Sequence, residues 1–139
     1  MKYGNLILEK KEYVYLKRML NISGYEVNHE IQKSLMKFGE ELKNAHILDE
    51  EEMPDDVVRL NSTVTVGTGD DWVKTITIVV PADKDIKNNK ISVHTPMGVA
   101  LFGYSVSDVV KWEFPNGTKE LTIIAVEQEV GVRDLNNLI

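Results

Sequence analysis

The sequence predicts an α+β protein in which a short N-terminal antiparallel helical hairpin precedes an antiparallel β-sheet that carries one short helix. Two observations support this prediction. Apolar residues in the first third of the chain recur every three or four positions, as in helices that pack on each other. Beyond Pro54 they alternate with polar residues instead, as in strands. The run DEEEMPDD (49–56), in which six of eight residues are acidic, separates the two patterns.

The helical pattern falls into two arms with a break, NISGYEVN, between them. Gly24 lies in the break, where a tight helix connection needs a permissive backbone, and Asn28 is a suitable N-cap for the second arm. We therefore predict a hairpin over about residues 9–46, with arms of roughly 20–26 Å. The apolar positions that form its seam are Tyr13, Leu16 and Leu20 in the first arm and Ile31, Leu35, Phe38, Leu42 and Ala45 in the second.

Strand signals fill the rest of the chain. VTVGT, VKTITIVV and KISV come first, and VVKWEF and ELTIIAVEQEV form a closing hairpin in which Asn116-Gly117 is a strong turn signal. Between these groups, an apolar segment over about residues 97–104 predicts a short helix. Four or five antiparallel strands with one helix packed on a face follow from this order.

Composition limits the class of protein. The chain has 139 residues and no cysteine, which excludes disulfides, thiolate nucleophiles and cysteine-bound metals. Its formal net charge of −6 argues against direct binding of nucleic acid, because phosphate contacts need a basic surface. No apolar run reaches the ~20 residues that cross a bilayer, and the N-terminus turns charged too soon for a signal peptide. We therefore expect a soluble, cytoplasmic protein.

The motifs that look like reactive sites are incomplete. HEIQK (29–33) begins like the zinc-protease pattern HExxH, but Lys33 stands where the second histidine must be. GTGDD (67–71) lacks the GK[ST] ending of a phosphate-binding loop. The acidic run at 49–56 does not space its carboxylates as calcium loops do, so we interpret it as a solvated linker. We predict no catalytic residue, no cofactor and no metal site.

Two stretches carry a resemblance to a known family. KISVHTPMGVALFGYSVSDVVKWEFPNGTKELTIIAVE (90–127) resembles the C-terminal domain of the bacterial GreA/GreB transcription elongation factors. EEMPDDVVRLNSTV (51–64) resembles more specifically the Rnk branch of that family, the regulators of nucleoside diphosphate kinase. The resemblance covers the second half of the chain in residues and the helices in architecture.

The resemblance implies an FKBP-like domain over residues 57–139, joined by the linker 49–56 to a coiled-coil hairpin over residues 1–48. It also implies a partner, RNA polymerase, with this domain docked at the rim of the secondary channel and the hairpin tip entering it. The residues to which the resemblance assigns docking are Thr95, Pro96, Met97 and Gly98, with Tyr25 and Glu26 exposed at the tip. We expect a monomer, while the exposed heptad edges of a short hairpin leave a dimer open.

The chain departs from the family pattern at a few positions near the docking residues. Thr95 replaces the usual serine, and Val99 stands where arginine is often found. Tyr104 stands where lysine is frequent, and Ser107 replaces the glycine before Asp108. These departures concern the details of docking and leave the predicted fold unchanged.

Three functions compete. The preferred hypothesis is a non-catalytic regulator that binds RNA polymerase and competes with Gre-type factors. The alternative is a transcript-cleavage factor, which lends tip carboxylates to the polymerase's magnesium, although the tip SGYEVNHE offers Glu26 and Glu30 with no aspartate. A prolyl isomerase is the remote alternative, because an FKBP-like fold alone does not convey that activity.

Overall fold

In a computed structural model, the chain is described at residues 2–23, 29–69, 72–114 and 117–129. The helices are α1 (Lys10–Ser23), α2 (His29–Leu42) and α3 (Pro96–Leu101). The strands are β1 (Ile7–Glu9), β2 (His46–Leu48), β3 (Thr63–Gly67), β4 (Val73–Val79), β5 (Lys90–Ser92), β6 (Val109–Phe114) and β7 (Gly117–Glu127). Single 3-10 turns lie at Glu50–Glu52, Pro81–Asp83 and Ile86–Asn88. None of the helices in these ranges is long and apolar enough to cross a membrane.

The large sheet has the strand order β5-β4-β3-β7-β6. Strands β3, β4, β6 and β7 pair antiparallel, as predicted, whereas β5 pairs with β4 in parallel, so the prediction of an antiparallel sheet is wrong at this edge. The cause lies in residues 80–89, whose two 3-10 turns bring the chain back to the level of Thr77 before β5 begins. Asn89 completes the return with a φ of 58°, a left-handed conformation that asparagine tolerates.

The alternation of side chains sorts the sheet into a buried and an outer face. Val64 and Val66 of β3 are fully buried, while Thr63 and Thr65, which alternate with them, lie on the outer face. There the hydroxyl of Thr65 lies 3.0 Å from that of its cross-strand partner Thr75. The short helix α3 covers the buried face, and it ends at Leu101, earlier than predicted, because the chain turns at Gly103 with a φ of 84°.

Both predicted N-terminal helices are present, and their connection at residues 24–28 lies outside the described residues. A parallel pair of short strands, which the sequence analysis did not predict, flanks them. β1 precedes α1 and β2 follows α2, with Ile7 opposite His46. The same segment is tied to the region after α3, because the Ile7 amide donates to the Gly103 carbonyl at 3.2 Å.

A single cluster of buried apolar side chains runs from the helices into the sheet. The predicted seam residues Leu35, Phe38 and Leu42 all belong to this cluster. Phe38 meets Phe102, just after α3, edge to face at a centroid distance of 6.5 Å. The apolar face of α2 therefore packs on the α3 region, a contact that the helical pattern alone did not indicate.

Candidate functional site

The turn Thr95–Gly98 begins α3, and its conformation is fixed by hydrogen bonds. The Thr95 hydroxyl donates to the Ser92 carbonyl at 2.7 Å and accepts from the Gly98 amide at 3.1 Å. Thr95 is thus the N-cap of α3, and Pro96 occupies the first helical position, where a missing amide hydrogen costs nothing. Threonine keeps the hydroxyl that the family's serine would supply, so this departure preserves the cap.

Gly98 is required by a close approach of two backbone segments. A Cβ at this position would lie 2.5 Å from the Ser92 carbonyl oxygen and 2.9 Å from the Val93 Cα. Both neighbours are backbone atoms, so no side-chain rotation can relieve the overlap. Gly98 is buried, and its part in the turn is to let α3 start directly against the end of β5.

The other three residues of the turn are half-buried. Met97 packs partly against the common core, while the exposed parts of Thr95 and Pro96 form a rigid corner of the surface. The structure therefore brings four of the predicted docking residues together in one ordered turn. Tyr25 and Glu26, predicted at the hairpin tip, lie outside the described residues.

A buried ionic cluster joins α1 to the loop before β3. Arg59, which is 5% exposed, donates from Nε and a terminal nitrogen to the carboxylate of Glu12, at 3.3 and 3.1 Å. It donates on its other side to Glu50, at 2.6 and 3.0 Å. Burial alone would lower the pKa of Arg59, but its hydrogen bonds to Glu50 and the charge of Glu12 outweigh burial and raise that pKa. The guanidinium thus holds two carboxylates in fork geometry.

The acidic run at 49–56 has fixed partners at both ends. Glu50 near its start binds Arg59, and Asp56 at its end accepts from the Lys2 ammonium and, at 2.8 Å, from the Tyr3 hydroxyl. Burial acts to raise the pKa of Asp56, yet the hydrogen bonds from Lys2 and Tyr3 prevail and lower it. Among the described residues, no three His, Asp or Glu side chains are placed to hold a metal ion.

Tyr104 links the sheet side to α2. Its side chain is 7% exposed, and its hydroxyl donates to Oε2 of Glu41 at 2.5 Å. Burial raises the pKa of Tyr104, and the hydrogen bond to Glu41 raises it further. The residue that replaces the family's lysine is therefore a buried structural contact in this chain.

Ser107 explains the family preference for glycine at its position. Its φ of 77° lies in the left-handed region, which costs energy for any residue with a Cβ. The conformation is held because the Ser107 amide donates to the Ile123 carbonyl at 2.8 Å. The following Asp108, which is buried, accepts from the Ser105 amide at 2.8 Å.

Sequence analysis did not identify Arg59 or Glu12 as important. One signal was present for Glu12: it lies one helical turn before Leu16 and two before Met19, both buried, so a charged residue occupies the apolar face of α1. No local signal marks Arg59, because its partners Glu12 and Glu50 lie in other elements of the chain.

Three comparisons with known proteins agree. Residues 53–128 match the family described as Transcription elongation factor, GreA/GreB, C-term. The regulator of nucleoside diphosphate kinase of Escherichia coli strain K12 is 38% identical over 91 residues, which are 64% of this chain and 67% of that protein. GreA of Pelobacter propionicus is 37% identical over 100 residues, which are 71% of this chain and 63% of that protein.

A solved structure extends the similarity to the fold. The GreA/GreB transcription elongation factor from Nitrosomonas europaea superposes with a TM-score of 0.71 at 27% identity, and the match covers 89% of this chain and 98% of that one. The superposition therefore reaches beyond the residues that the family description matches. On these findings, the chain belongs to the GreA/GreB family of transcription elongation factors, and it is similar to the regulator of nucleoside diphosphate kinase within that family.

Proposed function

We propose that this protein is a non-catalytic regulator that binds RNA polymerase at the rim of the secondary channel and competes there with Gre-type factors. The observation that carries the proposal is the GreA/GreB C-terminal domain at residues 53–128, combined with short helices before it. It would act in the cytoplasm, where a bacterial polymerase works.

The turn Thr95–Gly98 is the proposed docking surface on the sheet side. A docking surface gains affinity when its backbone is ordered before binding, since less entropy is lost on association. The Thr95 cap, the fixed φ of Pro96 and the close approach at Gly98 provide that order. The half-buried side chains of Thr95, Pro96 and Met97 leave part of their surface for a partner.

Binding to purified core RNA polymerase tests the proposal. We expect the protein to bind and to displace GreA, and we expect Pro96→Ala to bind several-fold more weakly while its fold is retained, because only the preset backbone and one ring are lost. Pro54→Ala is the control, since Pro54 is half-buried like Pro96 but lies in the acidic run at 49–56. Equal affinity for the Pro96 variant would remove the turn from the interface, and absence of binding by the wild type would refute the polymerase role.

We expect no cleavage activity, because the helical arms are short and the tip is poor in carboxylates. Helices α1 and α2 have 14 residues each, which corresponds to about 21 Å per arm. An arm of that length, anchored at the rim of the channel, is shorter than the coiled coil that the family's cleavage factors extend towards the catalytic magnesium. Glu30 belongs to α2 and not to the connection between the helices. Even with full reach, Glu26 would then supply one carboxylate where a pair is needed to hold the metal and its water.

A cleavage assay separates the regulator from the cleavage factor. A stalled, backtracked polymerase with labelled RNA is incubated with excess protein and magnesium. We expect the RNA 3′ end to shorten at the polymerase's intrinsic rate. Shortening well above that rate, abolished by Glu26→Ala, would identify the protein as a cleavage factor instead.

A further inference from the structure

Strand β6 forms one edge of the large sheet, and no described residue forms a backbone hydrogen bond with its outer side. The Asp108 carbonyl accepts from the Ile123 amide at 2.9 Å, so it points towards β7. The direction of the backbone N–H and C=O groups alternates along a strand. The backbone groups of Val110 and Trp112 therefore also point towards β7, while those of Val109, Lys111 and Glu113 point away from it. Across the described ranges 2–23, 29–69, 72–114 and 117–129, no strand pairs with that outer side.

The side chains of the outward residues are also exposed. Val109 is 48% exposed, and Lys111 and Glu113 are exposed beside it on the same face. Neither Lys111 nor Glu113 takes part in a salt bridge within the described part of the chain. β6 therefore presents an open edge with one positive and one negative side chain two residues apart.

We propose that β6 pairs antiparallel with β6 of a second copy of this chain, in a register centred on Trp112. Outward-pointing residues must face outward-pointing residues across such a pair, so the possible centres along the charged part of the strand are Lys111, Trp112 and Glu113. A centre at Lys111 places two lysines opposite each other, and a centre at Glu113 places two glutamates opposite each other. Only the centre at Trp112 sets Lys111 of each copy against Glu113 of the other.

The opposite face of the strand agrees with this register. Trp112 is half-buried on the side that also carries the buried Val110. In the proposed pair, the two Trp112 residues form the central non-hydrogen-bonded position, where cross-strand side chains come closest. An aromatic pair at that position adds apolar contact to the backbone hydrogen bonds of Lys111 and Glu113.

The contact is a single strand wide, which is smaller than a standard protein interface, so the dimer is weak and forms at high concentration. It does not use the proposed docking turn. β5, which leads into Thr95–Gly98, forms the opposite edge of the sheet from β6. The inference is therefore independent of the proposed function.

Sedimentation equilibrium from low-micromolar to millimolar protein tests the proposal with variants of Lys111 and Glu113. Wild type should approach a dimer at the upper end of this range. Lys111→Glu and Glu113→Lys should each weaken self-association by about tenfold or more, because both cross-strand pairs become like-charged. An equimolar mixture of these two variants should associate again, since each offers the charges that the other lacks. The double variant Lys111→Glu/Glu113→Lys should self-associate like the wild type, because its two cross-strand pairs are again oppositely charged.

The control is Lys87→Glu, which makes the same charge change at an exposed position in a 3-10 turn far along the chain from β6. It should leave the dimer unchanged. The proposal is overturned if the wild type stays monomeric at millimolar concentration, if either single variant associates as well as the wild type, or if the mixture of the two variants does not associate. Circular dichroism of each variant confirms that its sheet is intact.

Discussion

The N-terminal helices and the C-terminal sheet contact each other at places of opposite character. Where α2 meets the end of α3, the contact is apolar, with Phe38 against Phe102. Where α1 meets the loop before β3, the contact is ionic, with Arg59 between Glu12 and Glu50. An apolar contact stabilises in proportion to the surface it buries and tolerates small shifts, whereas a buried ionic contact requires every partner in place. We therefore expect the ionic contact to fix the orientation of α1, and the apolar contact to hold α2 against the sheet side.

Removing the charge of Arg59 should have the largest effect. Arg59→Met removes the guanidinium that pairs with the fully buried Glu12, and we expect a loss of about 3 to 5 kcal/mol in the free energy of unfolding. The double variant Glu12→Leu/Arg59→Met removes both buried charges and should recover much of this loss. Urea unfolding measures both values. A double variant no more stable than Arg59→Met would contradict the assignment of a charge-pairing role.

Truncating the apolar contact should have an effect of comparable size. Phe38 is 3% exposed, and Phe38→Ala should cost about 3 to 5 kcal/mol through lost burial and the cavity left behind. Because one apolar cluster spans both regions, we expect a single unfolding transition that shifts for the helices and the sheet together. Hydrogen exchange resolves the two regions. Loss of protection in the helices alone would indicate that the regions unfold independently.

A smaller effect is expected where the two regions share one hydrogen bond. Tyr104→Phe keeps the ring but removes the hydroxyl that donates to Glu41. We expect a loss of about 1 to 2 kcal/mol, as for a hydrogen bond to a charged acceptor that keeps some access to water. Glu41→Gln in the Tyr104→Phe background tests the pairing, since the second change should then cost little. An equally large second loss would show that Glu41 acts through another contact.

The smallest effect should come from the exposed ionic contact of Asp56 with Lys2, and it should depend on pH. The pKa of Asp56 is lowered in the folded protein, so the contact stabilises the fold above the ordinary carboxyl pKa of about 3.9 and is lost as the pH falls through the lower, folded value. Asp56→Asn should therefore reduce the urea midpoint slightly at neutral pH and leave it unchanged in strong acid. A difference that persists in acid would rule out the charge as the cause.

Sequence patterns predicted the parts of this molecule that depend on local periodicity and turn chemistry. The two N-terminal helices, the antiparallel strands and the short helix α3 follow from such signals, whereas the cap of α3 at Thr95 was not predicted. The direction of β5 could not be predicted, because it depends on how residues 80–89 turn. A strand of three residues has no sequence pattern that indicates whether it pairs parallel or antiparallel. The Arg59 cluster was also out of reach, because it joins residues 47 positions apart that share no local pattern.

In and near the candidate docking turn, too, local features could be predicted from the sequence and non-local contacts could not. The close approach at Gly98 and the left-handed backbone at Ser107 account for glycines that the family prefers, and a sequence pattern can mark such positions without giving their cause. The role of Tyr104 could not be read from its substitution for lysine, because its partner Glu41 is 63 positions away. Contacts that orient the helices relative to the turn are non-local, and they became visible only in three dimensions.

The parallel pair of β1 and β2 has a consequence for how such a protein can vary. The chain enters α1 from Glu9 and comes back from α2 to His46 on adjacent strands, so both helical arms start from one fixed base. The entropy of closing a loop on such a base changes slowly with the length of the loop. Matched helical turns can therefore be added to both arms beyond the residues that contact the sheet side, such as Glu12 and Phe38, while those contacts stay as they are.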